Sequence, residues 1–159
     1  MQKIVLDQNI LTIIVGDKEF QQCFDRAKNL GHIEPLFTHV HLDQSNRIKD
    51  VALRDKILYV INSCSTTVTY GHVESLSRPG GWSLSAPEKP LEEILGNQAN
   101  KDGHIYDALL ASTAFHEAAI FVTNDQRLKK RCLNLGKKVM SGEEFKSHLQ
   151  NLLPKKNLK

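Results

Sequence analysis

A helix-like stretch that leads into a short, uniformly apolar run dominates the segment 102–125. The run 119–123, AIFVT, shows no polar alternation, as expected for a strand that is buried on both faces of a parallel sheet. The small residues that would let the preceding helix lie close to such a sheet are Ala108, Ala111, Ser112 and Ala114. Asp125 follows the strand at its carboxyl end, where open α/β sheets bind their ligands. With Asp107 in the helix, the segment predicts two carboxylates aimed at one crevice.

Strand-like and helix-like segments also alternate before this stretch. Residues 3–6 form a short apolar strand, and the apolar run 10–15 fits either a helix or a strand. We interpret this run as a helix, because two parallel strands must be joined by a crossover. Residues 17–30 have helical spacing of their apolar side chains, with Asp17 as the cap and Gly31 as the terminating glycine.

The remaining elements are predicted in the same way. A second strand at 33–37 contains Pro35, which weakens it or places it near the edge of a sheet. Helices follow from residue 38 to about residue 63, whereas residues 63–100 have only some strand character at 66–70. Pro/Gly-rich turns at 78–82 and 86–90 precede a short helix at 91–95.

The part of the chain after Asp125 completes the pattern. It predicts a helix at 126–135, a short strand at 137–140 and a last helix that opens on the capping box of Ser141 and Glu144. Strands separated by helices predict a parallel sheet with helices on both faces. The expected fold is therefore α/β, a three-layer α/β/α sandwich with a central, mostly parallel sheet.

Length and composition fit one ordinary globular domain. A chain of 159 residues can bury a full core, so we expect a single domain over 1–153 followed by a basic tail at 154–159. No apolar run approaches the roughly 20 residues of a membrane helix, and no membrane partner is expected. The cysteines at 23, 64 and 132 are too scattered for a disulfide framework or a zinc site, which favours a cytoplasmic protein.

The net charge of +3 is distributed unevenly along the chain. Residues 127–159 contain ten Lys or Arg and two Asp or Glu, and the rest of the chain carries the acidic excess. A basic end of this kind can attract phosphates. The residues predicted to contact the phosphates of a substrate are Arg127, Lys129, Lys130 and Arg131. A solvated helix face and a disordered tail explain the same charges equally well.

Four aspartates, Asp7, Asp43, Asp107 and Asp125, can meet at one edge of the predicted sheet. Asp7 and Asp125 each follow an apolar strand, whereas the other two lie in early turns of predicted helices. Grouped carboxylates repel one another unless a cation neutralises them or some of them take up protons. Carboxylates and water suit Mg²⁺ or Mn²⁺, and such an ion can orient water for attack on a phosphodiester.

Each of these aspartates also has a purely structural interpretation. An aspartate after a strand is commonly a turn residue or a helix cap, which applies to Asp7 and Asp125. Asp107 can interact with the dipole of its helix, and Asp43 can lie on a solvated helix face. The residue pattern alone leaves both interpretations open.

Other site chemistries find little support in the sequence. His39 and His41 are two residues apart, which places them on different faces of a helix and argues against a metal pair. No P-loop, dinucleotide-binding glycine motif, H-E-x-x-H motif or nucleophile elbow is present.

Three blocks of the chain resemble the PIN-domain family of metal-dependent nucleases. They are residues 4–9 (IVLDQN), residues 107–114 (DALLASTA) and residues 120–125 (IFVTND). Residues 38–43 (THVHLD) are similar, more loosely, to the second acidic position of the family. The order and spacing of these blocks hold over about residues 3–145.

This resemblance implies a three-layer α/β/α fold and endonucleolytic cleavage, usually of RNA, with Mg²⁺ or Mn²⁺ in an acidic pocket. The metal ligands would be Asp7, Asp107 and Asp125, and Asp43 would complete the catalytic set. The supporting residues would be Asn9, Thr123, Asn124 and, at the rim, Asp102. Many small members are toxins of toxin–antitoxin pairs, which implies an antitoxin that covers the pocket. We also expect a homo-oligomer, a dimer.

The chain departs from the family pattern in two places, and two other functions compete with it. The second acidic position is commonly Glu, whereas Asp43 is one methylene shorter, and residues 63–100 are long for this region. A phosphatase of the haloacid-dehalogenase type would need a second aspartate at Asn9, since that family carries D-x-D-x-T. A non-catalytic PIN-like scaffold that binds RNA or protein is the other alternative.

Overall fold

The structure is a computed structural model that describes residues 1–67, 69–70, 83–84 and 102–154. Its main sheet has five parallel strands in the order β3-β2-β1-β6-β7. These strands are β1 (Gln2–Leu6), β2 (Ile33–Phe37), β3 (Ser65–Thr66), β6 (Ile120–Val122) and β7 (Val139–Met140). A separate parallel pair joins β4 (Thr69–Tyr70) to β5 (Ser83–Leu84).

Helices cover both faces of the main sheet. Those in the described ranges are α1 (Gln8–Gly16), α2 (Lys18–Asn29), α3 (His39–Asn46), α4 (Val51–Asn62), α5 (Asp102–His116), α6 (Gln126–Asn134) and α7 (Gly142–Leu152). One core holds buried side chains of α1, α2, α4 and α7, and a second core holds those of α5 and α6. The predicted three-layer α/β/α sandwich with a central parallel sheet is therefore confirmed.

The two cores follow from the alternation of side chains along β1 and β6. Ile4 and Leu6 belong to the core under α1 and α2, whereas Val5 belongs to the core under α5. Phe121 likewise points to the α5 side, and its two neighbours in β6 point to the other. Successive residues of a strand face opposite sides of a sheet, so a strand that is covered on both faces must be apolar throughout.

Several local predictions agree with the structure. The run 10–15 lies within helix α1, so the choice of helix over strand is confirmed. Asp17 caps α2 by accepting a hydrogen bond from the backbone N–H of Phe20 at 3.1 Å, and Gly31 has a φ of +71° just after the helix. Strand β3 pairs only with the last two residues of β2, so Pro35 lies beyond the stretch where β2 has a neighbour on both sides.

The structure leaves some predictions untested. The turns at 78–82 and 86–90, the short helix at 91–95 and the tail at 155–159 lie outside the described residues. Within the described ranges, none of the helices combines the length and the apolar character that crossing a membrane requires.

Candidate functional site

Two neighbouring strands bring Asp7 and Asp125 to the same edge of the sheet. Strands β1 and β6 run parallel with Leu6 opposite Val122, so both strands end at the same level. The backbone N–H of Asp7 still donates to the carbonyl oxygen of Val122 at 3.0 Å. The residues that follow each strand, Asp7 and Thr123, are therefore direct neighbours at the carboxyl edge.

Asp7 is almost completely buried, with 2% of its surface exposed. Its Oδ1 atom accepts a hydrogen bond from the backbone N–H of Ile10 at 2.8 Å and so caps helix α1. Burial raises the pKa of the Asp7 carboxyl. Hydrogen bonds partly offset this effect because they stabilise the carboxylate; the strongest comes from the Thr123 hydroxyl, followed by those from the backbone N–H groups of Ile10, Asn9 and Asn124. The cap explains the orientation of Asp7 but leaves a buried acid that helix capping alone does not require.

Asp125 lies at the start of α6 and caps that helix in the same manner. Its Oδ1 atom accepts from the backbone N–H groups of Arg127 at 2.9 Å and Leu128 at 3.0 Å. Its own backbone N–H donates to Oγ1 of Thr123 at 3.1 Å. Because Thr123 also interacts with the Asp7 carboxylate, this fully buried hydroxyl links the two acids.

Asp107 approaches the same edge from helix α5. Burial raises the pKa of the half-buried Asp107 carboxyl to about 7, and the negative charges of Asp7 and Asp125 add to this effect. These electrostatic interactions show that three of the four aspartates singled out in the sequence are close in space. Near pH 7 the Asp107 carboxyl is therefore partly protonated, as expected for a carboxyl that is buried next to like charges.

Asp43 lies on helix α3, which is attached to the end of β1. The imidazole of His41 donates from Nε2 to the carbonyl oxygen of Leu6 at 2.8 Å, and Nε2 of Gln8 donates to Oγ of Ser45 at 3.2 Å. Asp43 is half-buried and is not one of the charges that raise the pKa of Asp107. The structure therefore places the helix of Asp43 beside the site and leaves the predicted catalytic role of Asp43 itself untested.

The two histidines of α3 have separate structural contacts. Nδ1 of His41 accepts from the backbone N–H of Thr38 at 3.0 Å, so Nε2 carries the proton that is donated to Leu6. Burial, with a smaller contribution from His39, lowers the pKa of His41 to about 4, against the effect of its hydrogen bonds to Leu6 and Thr38. His39 instead pairs with Thr69, with 3.0 Å between Nδ1 and Oγ1.

The predicted supporting residues have different positions. Asn9 is exposed on α1, and its backbone N–H faces Asp7. Oδ1 of Asn124 accepts the backbone N–H of Gly142 at 2.8 Å, so this side chain holds the start of α7. A Cβ at Gly142 would lie 3.1 Å from Cδ1 of Ile10, which explains the glycine. Asp102 begins α5, and its side chain lies outside the described part of the chain.

Replacing Asn124 with alanine is expected to lower the free energy of unfolding by about 1 kcal/mol, because the buried Gly142 N–H would lose its acceptor. Urea unfolding measures this change. Asn29→Ala, at the exposed end of α2, is the matched control and should change stability by less than about 0.5 kcal/mol. Equal stability of Asn124→Ala and the parent protein would show that Asn124 does not hold α7.

The basic residues predicted to bind RNA are divided by the fold. Arg127 and Lys130 are exposed on α6, and Arg127 lies in its first turn, next to Asp125. Nζ of Lys129 instead forms an ion pair with Oε2 of Glu144 at the start of α7. Arg131 is half-buried and also has an interaction within the chain. The structure leaves Arg127 and Lys130 as the most accessible members of the set.

A further basic residue near the site was not apparent from the sequence. The Cζ atom of Arg47 lies 5.2 Å from the centroid of the Tyr106 ring, and Tyr106 directly precedes Asp107. Arg47 is exposed, whereas Tyr106 is only 5% exposed. No local motif marks this contact, because it joins the end of α3 to the start of α5.

The donor chemistry of the site fits a hard divalent cation, since carboxylates are the ligands that Mg²⁺ and Mn²⁺ prefer. In the ranges that the structure covers, however, no three His, Cys, Asp or Glu side chains are grouped so that they could hold one ion together. Mg²⁺ commonly keeps several of its waters in protein sites, so three carboxylates can share an ion without all of them touching it.

Comparison with known proteins does not assign the chain to a family. No protein-family model matches it, and no curated protein is significantly similar to it. The function is therefore inferred from the residues and the geometry of the carboxylate edge.

Proposed function

We propose that the chain is a divalent-metal-dependent endoribonuclease that hydrolyses phosphodiester bonds of single-stranded or loop RNA. The observation that carries this proposal is the position of Asp7 and Asp125 after two adjacent parallel strands, with Asp107 near enough for their charges to add to the burial that raises its pKa to about 7. Three acids at one edge of a parallel sheet are unfavourable without a neutralising partner, and perturbed pKa values of this kind are typical of functional sites. The likeness of three sequence blocks to PIN-domain nucleases supports the same function.

In this proposal Asp7, Asp107 and Asp125 would hold Mg²⁺ or Mn²⁺, which when bound supplies electrostatic stabilisation of the charge that develops on the phosphate. Helix capping fixes the carboxylates of Asp7 and Asp125 in place before substrate arrives. The hydroxyl of Thr123 bonds to the Asp7 carboxylate and accepts the backbone N–H of Asp125, so it ties Asp7 to the start of the loop that carries Asp125. Without a cation the Asp107 carboxyl, with a pKa of about 7, is partly protonated near neutral pH, and cation binding would favour release of that proton. Asp43 would complete the acidic set from α3.

The exposed cations on α6 are the proposed contacts to RNA phosphates. Arg127 and Lys130 would carry most of this role, because Lys129 is engaged with Glu144. A role as the toxin of a toxin–antitoxin pair, an antitoxin partner and a homodimer are further proposals that depend on the resemblance alone. A cytoplasmic location fits RNA as the substrate.

Metal removal is the experiment that tests this function. We expect the protein to cleave members of a mixed set of single-stranded and structured RNAs with Mg²⁺ or Mn²⁺, to stop in EDTA, and to resume with excess Mg²⁺. Cleavage that continues in EDTA would contradict a metal-dependent reaction. Binding of RNA without cleavage in either metal would favour the non-catalytic PIN-like scaffold. That alternative is also consistent with the lack of a ready-grouped ligand set among the described side chains.

A further inference from the structure

We propose that Arg47 binds a phosphate of the RNA substrate beside the acidic edge, with Tyr106 holding its guanidinium in place. This inference rests on the proposed nuclease function and adds a binding residue on the side of the site away from α6. Three features of the structure support it: the position of α3 in the sheet order, the cation–π contact of Arg47 with Tyr106, and the spacing of four residues between Asp43 and Arg47.

The sheet order places α3 and α6 on opposite sides of the carboxylates. Asp7 follows β1 and Asp125 follows β6, and these two strands are adjacent in the centre of the sheet. Helix α3 follows β2, the neighbour of β1 on one side, whereas α6 leads from β6 to β7 on the other. Cations on these two helices therefore flank the acids from both directions.

The contact with Tyr106 leaves Arg47 able to bind an anion. An arginine that lies over an aromatic ring uses the face of its planar guanidinium, while its N–H donors project from the edges. Arg47 is exposed, and no Asp or Glu of the described residues forms an ion pair with it. Those N–H donors match the geometry of phosphate oxygens. The ring of Tyr106 thus fixes the side chain without consuming its hydrogen-bonding capacity.

Two separate elements relate Arg47 to the acidic residues. Arg47 ends α3 with helical backbone angles, φ −84° and ψ −8°, and it lies four residues after Asp43, so both occupy the same face of that helix. On α5, its ring partner Tyr106 is the residue before Asp107. Arg47 is therefore related to the acidic residues through α3, where it follows Asp43 by four residues, and through α5, where it contacts the residue before Asp107.

A cation at the position of Arg47 would improve the charge complementarity between the acidic site and RNA. Grouped carboxylates repel the phosphates of an approaching RNA strand, and cations at the rim offset that repulsion. Arg127 provides one such cation at the start of α6. Arg47 provides a second on the α3 side, so that a single strand can be held on both sides of the bond that is cut.

The test compares Arg47→Gln with Arg54→Gln, the same change at a partly exposed arginine on α4. Arg54 lies near Asp55, with 3.8 Å between Nε and Oδ1, and α4 packs on the other face of the sheet. Binding of a fluorescent single-stranded RNA is measured in EDTA over a range of KCl concentrations, and cleavage is measured in Mg²⁺. We expect Arg47→Gln to reduce the salt slope of log K by about 0.7, the value for one phosphate on a single strand. KM should rise about 3–10-fold, with kcat changed less than about 2-fold.

Tyr106→Leu and Arg47→Lys separate positioning from charge. Tyr106→Leu should raise KM in the same direction as Arg47→Gln but leave the salt slope unchanged, because the cation remains. Arg47→Lys should leave the salt slope of log K unchanged and lower the affinity for RNA. Lysine keeps the positive charge but lacks the planar guanidinium, whose paired N–H donors match phosphate oxygens.

The outcomes distinguish this inference from the proposed function. Metal-dependent cleavage by the parent protein with an unchanged slope and KM in Arg47→Gln would overturn the role of Arg47 and leave the nuclease proposal in place. Equal effects of Arg47→Gln and Arg54→Gln would indicate a general loss of charge and would also overturn it. Absence of both RNA binding and metal-dependent cleavage in the parent protein would overturn the two proposals together.

Discussion

Asp107→Asn is expected to abolish metal-dependent cleavage and, in the metal-free protein above pH 7, to increase stability. Loss of activity should be at least about 100-fold, because asparagine neither binds a hard cation as strongly nor carries a proton that the site can release. The increase in stability arises because asparagine has nearly the shape of aspartate but no charge to repel Asp7 and Asp125. An ordinary structural aspartate at a helix start would give the opposite result.

The pH dependence of this effect follows from the pKa of Asp107. Its folded-state pKa of about 7 lies above the ordinary value of 3.8, so the folded protein holds the proton more tightly than the unfolded chain. The stability that this proton contributes is fully present below pH 3.8 and is lost as the pH rises through 7. Because Asp107 is partly exposed and screened by solvent, we expect Asp107→Asn to be only about 1–2 kcal/mol more stable than the parent at pH 8.

Urea unfolding in EDTA at pH 5 and pH 8, with thermal unfolding in the presence and absence of Mg²⁺, measures both parts of this prediction. Asp55→Asn is the control, because its side chain is 66% exposed on α4. Mg²⁺ should raise the melting temperature of the parent and of Asp55→Asn but not that of Asp107→Asn. The prediction fails if the metal raises all three melting temperatures equally.

Acid is expected to destabilise the fold through His41. Burial lowers the pKa of His41 from 6.5 to about 4. Between these two pH values, the histidine is protonated in the unfolded chain but neutral in the folded protein. The stability that depends on neutral His41 is fully present above pH 6.5 and is lost as the pH falls towards 4. The loss corresponds to about 3 kcal/mol, since one pKa unit is about 1.4 kcal/mol.

In the parent protein the loss of stability caused by His41 is masked between pH 4 and 6.5. Over the same range the protonation of Asp107 stabilises the folded state as the pH falls. The effect of His41 is therefore best measured in the Asp107→Asn background. There, the free energy of unfolding should fall as the pH is lowered from 7 to 5. Adding His41→Gln should remove most of that slope, because glutamine does not titrate in this range. The same slope in both variants would exclude His41 as the source.

Local sequence signals predicted most of the fold. The apolar runs that became β1 and β6 are short enough to be strands and have no polar face, which restricts them to the centre of a covered sheet. Asp17, Gly31 and Ser141 mark helix ends through bonds within a few residues of themselves. Because Asp7 and Asp125 follow adjacent parallel strands, their proximity also follows from the fold class.

The remaining features depend on how distant elements pack. No local pattern indicates that His41 reaches the carbonyl oxygen of Leu6, or that Arg47 lies over Tyr106, because each contact depends on the rotation of α3 about its axis. The ion pair of Lys129 with Glu144 could not be predicted from the sequence for the same reason, because it depends on how α6 and α7 pack against each other. Helix periodicity predicts which face is buried but not which polar side chains meet at its borders.

The pairing of β1 with β6 has a consequence for the moment at which the protein becomes active. Asp7 is translated long before Asp107 and Asp125, and at about 5–20 residues per second a ribosome needs roughly 5–20 s to add the intervening chain. During that time β1 has β2 available on one side but lacks β6, the strand that will lie on its other side. A nascent chain therefore contains one acid of the site without the other two. If the proposed nuclease function holds, the nascent chain cannot cleave the messenger RNA that encodes it before the segment that ends at Asp125 has been made and folded onto β1.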